Sequence, residues 1–203
     1  MPSILKPYVE LMSITPNAEE LLEKCGRVCY KSEDKIGPGT AAKLIKMLKS
    51  KNHASVLEHA VATFFIRTDR GISHEIVRHR IASYSQESTR FVNYGNKGGE
   101  ISVIRPSEIT DDKFLMWFEA MRNAEGAYLG LLEAGCKPQT ARSVLPTCTK
   151  TDLMMTMNFR SILHFIDLRS APAAHPDIRP IANAIKAIMI EKAFSVFGEV
   201  PDA

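Results

Sequence analysis

The hydrophobic pattern changes period repeatedly along this chain, and each change predicts an element. Ile4 to Ile14 mixes β-branched and polar positions ahead of Pro16 and predicts a strand, after which Asn17 is placed to cap a helix running to about Tyr30. Gly37, Pro38 and Gly39 punctuate a loop, and Ala41, Leu44, Ile45 and Leu48 then mark the apolar stripe of a second helix with lysines outside it. After a polar break at Lys51 to His53, Ser55 stands three residues before Glu58, the spacing of a capping box, and Val61 to Thr68 predicts a strand. Ile72, Ile76 and Val77 suit a short helix that delivers Arg78, His79 and Arg80 at its C-terminal end, with a polar stretch beyond. Asn93 to Glu100, with three glycines, predicts a mobile loop. Asp111 to Gly135 predicts a long amphipathic helix with Leu115, Phe118, Met121, Leu129 and Leu132 inward, stopped at its glycine. Pro138 opens a short helix closed by Pro146; Leu153 to Met157 suggests a strand, Ser161 to Arg169 a helix, and Asp177 to Phe197 a last helix. Helices and strands are intermixed with no repeat or low-complexity linker, so the expectation is one α+β domain over residues 1–203, its topology left open.

Composition narrows the class. At 203 residues with 45% apolar content the chain is long enough for one domain with a real core. The 26 basic and 23 acidic residues leave a net charge of only +3, too small to argue for nucleic acid or a membrane surface, so any basic site must be local. No apolar run approaches a membrane span and the first residues lack the pattern of a secretion signal, so a soluble cytoplasmic protein is expected. Cys25, Cys29, Cys136 and Cys148 form no CxxC pair and argue against structural zinc or a disulfide framework.

The chemistry is concentrated in Arg78 to Arg90, RHRIASYSQESTR, which packs three arginines, a histidine, three serines, a threonine and a glutamine into thirteen positions. Guanidinium forks match phosphate oxygens, and hydroxyls or backbone N–H groups complete such a cradle, so the segment is suited to anions; a solvated helix end is the bland alternative. His74, Glu75 and His79 superficially resemble a zinc-protease pattern, but HExxH needs its histidines four apart. Here Arg78 holds that place and His79 falls one residue late, about 140° around the helix. No serine has a GxSxG elbow, and GxGxxG and the P-loop are both missing, so a nucleotide cofactor would be held by side chains.

This string resembles the signature of the flavin-dependent thymidylate synthases, in which RHR is followed at fixed distance by a serine and an arginine, here Ser88 and Arg90. Four more stretches resemble the family in order: HASVLEH at His53 to His59, ARSVLP at Ala141 to Pro146, MNFRS at Met157 to Ser161, and DLRS at Asp167 to Ser170. The resemblance spans roughly residues 20 to 197. It implies a mixed or antiparallel sheet packed with long helices, and a homotetramer whose active sites are shared between subunits. It also implies FAD as cofactor, dUMP as substrate, and NADPH and 5,10-methylenetetrahydrofolate as co-substrates. Methylation of uracil C5 needs a one-carbon unit and a hydride, the first from the folate and the second from reduced flavin.

By the same resemblance, FAD would meet His53, Ser55, Glu58, Arg78, His79, Arg80, Ile81, Gln86, Asn158, Phe159, Arg160 and His164. The charges of Arg78, His79 and Arg80 suit its pyrophosphate, and His53 stands where flavin and folate stack. The nucleotide site would comprise Glu75, Arg78, Gln86, Glu87, Ser88, Thr89, Arg90, Arg142 and Arg169. Arg90 and Arg142 suit the phosphate, and Arg169 aligns with the arginine that activates uracil by stabilising negative charge as N3 loses its proton. Arg169, Ser88 and His53 are the catalytic candidates, Ser88 lying beside the nucleotide without a covalent adduct. The other thymidylate synthase class attacks uracil with a cysteine, but Cys148 lacks that class's surroundings and reads as structural.

The chain departs from the family pattern at Glu75, where many members have glutamine, at Gln86 and Glu87, where others carry glutamate and an apolar residue, and in Ser170 to Arg179. These differences leave room for a related flavin-dependent methylase or hydroxymethylase acting on another pyrimidine nucleotide. A nucleic-acid module is the other competing class. It should interleave aromatics with the basic residues, and only Tyr84 and Phe91 do so.

Overall fold

Pro7 lacks the N–H that a continuous ladder requires, and the first extended stretch is divided there into β1, Ser3–Leu5, and β2, Tyr8–Ile14. In this computed structural model, which describes residues 1–96 and 98–198, the single strand predicted for Ile4 to Ile14 is thus two strands in two different sheets. β1 pairs in parallel with β5, Ser102–Ile104, in the register Ser3 with Ser102 and Leu5 with Ile104. The larger sheet has the order β2-β3-β6-β4, with β3 at Val61–Asp69, β4 at Ser83–Gln86 and β6 at Lys150–Asn158. The alternation of buried and more open positions, strict along β6 and kept along β3 until Thr68 and Asp69 are both buried, reflects the two-residue side-chain period of a strand with one face in the core.

The chain groups into two compact units, and β3 and β6 each run from one into the other. The first comprises Met1–Tyr8, Ile66–Arg78 and Tyr84–Met154. Its scaffold is the 23-residue helix α4, Asp111–Glu133, whose Met121 and Tyr128 pack with Tyr94, Ile101, Val103, Ala141 and Cys148. Buried Glu125 accepts the Ile101 N–H at 3.0 Å and meets the N-terminal ammonium at 3.3 Å. Gly135, at φ 87°, follows α4 in the left-handed region that glycine enters without penalty. Leu115, expected inward, is 73% exposed, because the buried face of α4 follows Met121, Glu125 and Tyr128. This unit also holds the short helices α3, Arg70–Ile76, and α5, Pro138–Ala141; the Asp69 carboxylate accepts the Ile72 N–H at 2.8 Å and caps α3.

The second unit comprises Val9–Phe65, His79–Ser83 and, among the described residues, 155–198. Here α1, Ala18–Tyr30, packs on α2, Thr40–Ser50. They approach closely at Gly26, where a Cβ would stand 3.0 Å from Leu44 Cδ2 and the leucine would have to give by a few tenths of an ångström. Buried Glu23 is satisfied by Arg27 at 2.8 Å and the Thr40 hydroxyl at 3.0 Å. α6, Phe159–Ser170, packs against α7, Arg179–Lys192; α6 buries Phe159, Ile162, Phe165 and Ile166, and α7 buries Ile181, Ala182, Ile185 and Met189. The last helix predicted as one is broken at Ala193, where φ is −151°. The short α8, Phe194–Phe197, follows, with the Ser195 N–H and hydroxyl both donating to Glu19 at 2.7 Å.

Two further readings are corrected. Asn17 precedes α1 but sits at φ 46° and makes no side-chain cap. Ser55 and Glu58 form no capping box: Ala54–His59 is a 3-10 turn, and Glu58 pairs with Arg160 instead. In the loop expected at Asn93 to Glu100, Tyr94–Asn96 forms a 3-10 turn with Tyr94 buried, while Lys97 lies outside the described residues.

Candidate active site

In the second unit, α6 begins where Asn158, extended at ψ 162°, turns its side-chain oxygen to the Ser161 N–H at 2.8 Å, and the helix then presents Arg160, His164 and Arg169 outward or at half burial. Residues 79–83 of this unit bring His79 against α6: its ring lies edge-on to Phe165 at 4.9 Å and tilted to His164 at 5.6 Å. Arg169 donates through Nε to His79 Nε2 at 3.0 Å. An acceptor Nε2 fixes the tautomer with the ring proton on Nδ1. Burial, followed by the charges of Arg169 and His164, lowers the His79 pKa to about 4. His79 is therefore neutral at pH 7, which corrects the expectation that it adds a third positive charge for a pyrophosphate. It holds the Arg169 guanidinium instead.

The turn Ala54–His59 lies in the same unit. Arg160 Nη1 meets Glu58 Oε1 at 2.6 Å, and Tyr30 Oη lies 3.1 Å from His53 Nδ1. His53, Ser55, Glu58, Arg80 and Ile81 are all exposed, Ile81 at 75%. Phe159 is not: its ring is fully buried edge-on to Phe197 at 5.2 Å, and its N–H bonds Ala60 O at 2.9 Å. The phenyl group belongs to the core. The Asn158 amide oxygen is likewise engaged as the helix cap.

The first unit gathers Glu75, Arg78, Gln86, Glu87, Ser88, Thr89, Arg90 and Arg142. Gln86 donates its amide hydrogens to Ser73 Oγ at 2.8 Å and Thr151 Oγ1 at 3.1 Å. Glu87 accepts from Tyr94 Oη at 2.8 Å and Lys150 Nζ at 2.7 Å, so both of its carboxylate oxygens have partners inside the protein. After Glu87 the backbone turns tightly: the N–H groups of Phe91 and Val92 both donate to Ser88 O, at 3.1 and 2.9 Å, and the Arg90 N–H reaches Ser88 Oγ at 3.3 Å. Arg142, from the 3-10 turn Arg142–Val144, reaches Thr89 Oγ1 at 3.4 Å. Arg78, Arg80, Arg90 and Arg142 are exposed, and among the described residues no carboxylate pairs with any of them. Such unneutralised forks beside hydroxyls are the donor set for phosphoryl oxygens.

Tyr30, Tyr94 and Lys150 are the residues that sequence reasoning missed. Tyr30 and Lys150 meet partners 23 and 63 positions away and Tyr94 one seven positions away, and no spacing rule signals any of these pairs. Cys148 conforms to its structural reading. Its sulfur is buried 3.0 Å from Met121 Sδ, and burial together with Asp69 pushes the thiol up to about 11, leaving no nucleophilic thiolate at neutral pH.

The fold and these clusters define a class: an α+β protein that carries arginine-rich, anion-directed surfaces on a signature loop. Residues 10–193 match the family model described as thymidylate synthase complementing protein. The flavin-dependent thymidylate synthase of Geobacter sulfurreducens is 35% identical over 196 residues, covering 93% of this chain and 84% of that protein. The enzyme of the same name from Corynebacterium efficiens is 37% identical over 202 residues, covering 90% and 79%. Among solved structures, the UMP/dUMP methylase PolB of Streptomyces cacaoi, bound with 5-Br dUMP, superposes with a TM-score of 0.80 at 27% identity, covering 98% of this chain and all of that one. The chain belongs to the flavin-dependent thymidylate synthase family.

Proposed function

We propose that this protein converts dUMP to dTMP, with FAD as cofactor and 5,10-methylenetetrahydrofolate and NADPH as co-substrates, as a cytoplasmic homotetramer of single-domain chains with shared active sites. The observation that carries the reading is the Arg169–His79 pair, a guanidinium held at 3.0 Å by a neutral imidazole within the signature segment.

The residues present fit the cofactor. Arg78 and Arg80 are exposed cations without carboxylate partners among the described residues, suited to a pyrophosphate, while exposed His53 and Ile81 offer flat or apolar surface to a ring. Ser55, Glu58, Arg160 and His164 complete the cofactor-side residues. Bound flavin supplies the hydride that completes the methyl group. Arg90 and Arg142, with the hydroxyls of Ser88 and Thr89, hold the nucleotide phosphate. The remaining nucleotide contacts fall to Glu75 and to Gln86, whose amide nitrogen is already committed. Arg169 stabilises the negative charge that develops on uracil when N3 loses its proton, and His79 fixes the guanidinium plane so that no reorientation is needed as the charge forms.

A second reading, methylation of UMP as well as dUMP, is favoured by the likeness to the Streptomyces methylase together with the unusual pair Gln86 and Glu87. Anaerobic incubation of the FAD-loaded protein with NADPH, methylenetetrahydrofolate and either nucleotide, followed by mass spectrometry, separates the two. A mass gain of one methyl group on dUMP alone supports the first reading and gain on both supports the second. No gain on either in a flavin-loaded protein overturns both.

A further inference from the structure

Glu87 is a carboxylate only 16% exposed, and its environment gives it a use. β4 ends at Gln86 and Tyr94 lies in the core; between them Thr89 is buried and Val92 packs partly against that core, while Phe91 is 77% exposed. The bonds that close this eight-residue segment at its two ends are polar. The Glu87 N–H donates to Asp152 O at 2.9 Å, tying the start of the segment to β6. Its carboxylate then receives the Tyr94 hydroxyl on one oxygen and the Lys150 ammonium on the other. Lys150 is held in turn by Asp152 at 3.0 Å, and Asp152 by Arg67 at 3.0 Å. The Glu87 and Lys150 side chains are only 16% and 15% exposed, so water competes weakly for these bonds. The Tyr94 backbone N–H donates to Tyr128 Oη at 3.3 Å, fixing the far end of the segment to α4.

Resting on the reading above, we propose that Glu87, Tyr94 and Lys150 form a polar clip that closes the 87–94 segment and preshapes the Ser88–Arg90 turn for the phosphate group of the nucleotide. All three act through the turn and are positioning residues. The Ser88 carbonyl already accepts two N–H groups within the closed segment, and Arg142 already reaches Thr89, so the phosphate donors stand on a backbone whose ordering does not await the ligand. Burial first, and then the Glu87 hydrogen bond and charge, push the Tyr94 hydroxyl well above its ordinary value, so it remains a donor at every pH at which the protein would work.

The test uses the FAD-loaded protein and measures dUMP binding by titration calorimetry beside steady-state turnover. Tyr94→Phe keeps the ring and removes the donor. The expectation is a roughly ten-fold weaker affinity for dUMP, of the order a charge-assisted hydrogen bond supports, with KM raised and kcat within about two-fold of the native value. Deoxyuridine, which lacks the phosphate, should bind the variant and the native protein equally; a merely structural defect would weaken both ligands together. Glu87→Gln, which keeps an acceptor for Tyr94 but loses the charge that Lys150 meets, should fall between the two. Should Tyr94→Phe fail to retain flavin, Lys150→Gln carries the same comparison. Native affinity for dUMP in both variants, or equal losses for dUMP and deoxyuridine, overturns the clip while leaving the proposed reaction intact. Failure of the native flavin-loaded protein to bind dUMP overturns the reaction and the clip with it.

Discussion

His79 sits in a signature whose other basic members are arginines, yet it contributes a neutral acceptor. Its ordinary pKa of 6.5 falls to about 4 in the fold, so between those values the unfolded chain binds a proton that the folded chain does not. The stability tied to His79 is therefore full above about pH 6.5 and is lost as pH falls toward 4, where an imidazolium would face Arg169. Melting temperatures measured between pH 7 and 4.5 should fall less in His79→Gln, which keeps an acceptor but does not titrate, than in the native protein; equal slopes would refute the assignment. For Arg169→Ala the expected outcome is retained flavin absorbance with methylation reduced by about 10²-fold or more, the scale of removing one preorganised charge-stabilising donor. Turnover at the native rate would remove Arg169 from the chemistry. Cys148→Ala should leave kcat within about two-fold while lowering stability by roughly 1 kcal/mol through lost packing on Met121, readable by urea titration.

Helix termini decide how the site is presented. Asn158 caps α6, the helix that carries Arg160, His164 and Arg169, so Asn158→Ala should cost about 1 kcal/mol in denaturant unfolding while Asn158→Asp retains most of it. Equal losses in both variants would mean that the amide does something other than cap. The long periodic elements, α1, α2, α4 and α6, were legible because many turns or alternations carry one signal. β4 and β5 were not: SYSQ offers four polar or aromatic positions and no apolar alternation, and β5 has only three residues, so their pairing is set by neighbours remote in sequence. Leu115 was misplaced for a related reason, since the buried stripe of α4 runs through Glu125 and Tyr128, and a carboxylate satisfied by the chain start carries no hydrophobic mark. Of the candidate site, the residue types were readable in Arg78 to Arg90, but not their charge states or internal partners. The neutrality of His79 depends first on its burial and then on Arg169, 90 positions away, and the environment of Glu87 on Lys150, 63 positions away.

For the molecule as a whole, a ligand that binds only the folded state raises its stability by mass action. Flavin at about 100 times its dissociation constant should add about 2.7 kcal/mol. Arg80→Ala should shrink the resulting rise in melting temperature while leaving the flavin-free melting point nearly unchanged, because the Arg80 side chain is exposed and pairs with no carboxylate among the described residues. An undiminished rise would release Arg80 from the cofactor. The signature segment itself is divided, with residues 79–83 in one compact unit and Arg78 and Tyr84 onward in the other. With β3 and β6 also crossing, the chain passes between the units five times. Neither unit is therefore a contiguous stretch of gene. Recombination that joined the first half of this chain to the second half of a distant relative would build each unit from both parents, so the separate segments of one unit must be inherited together for its own packing to be kept.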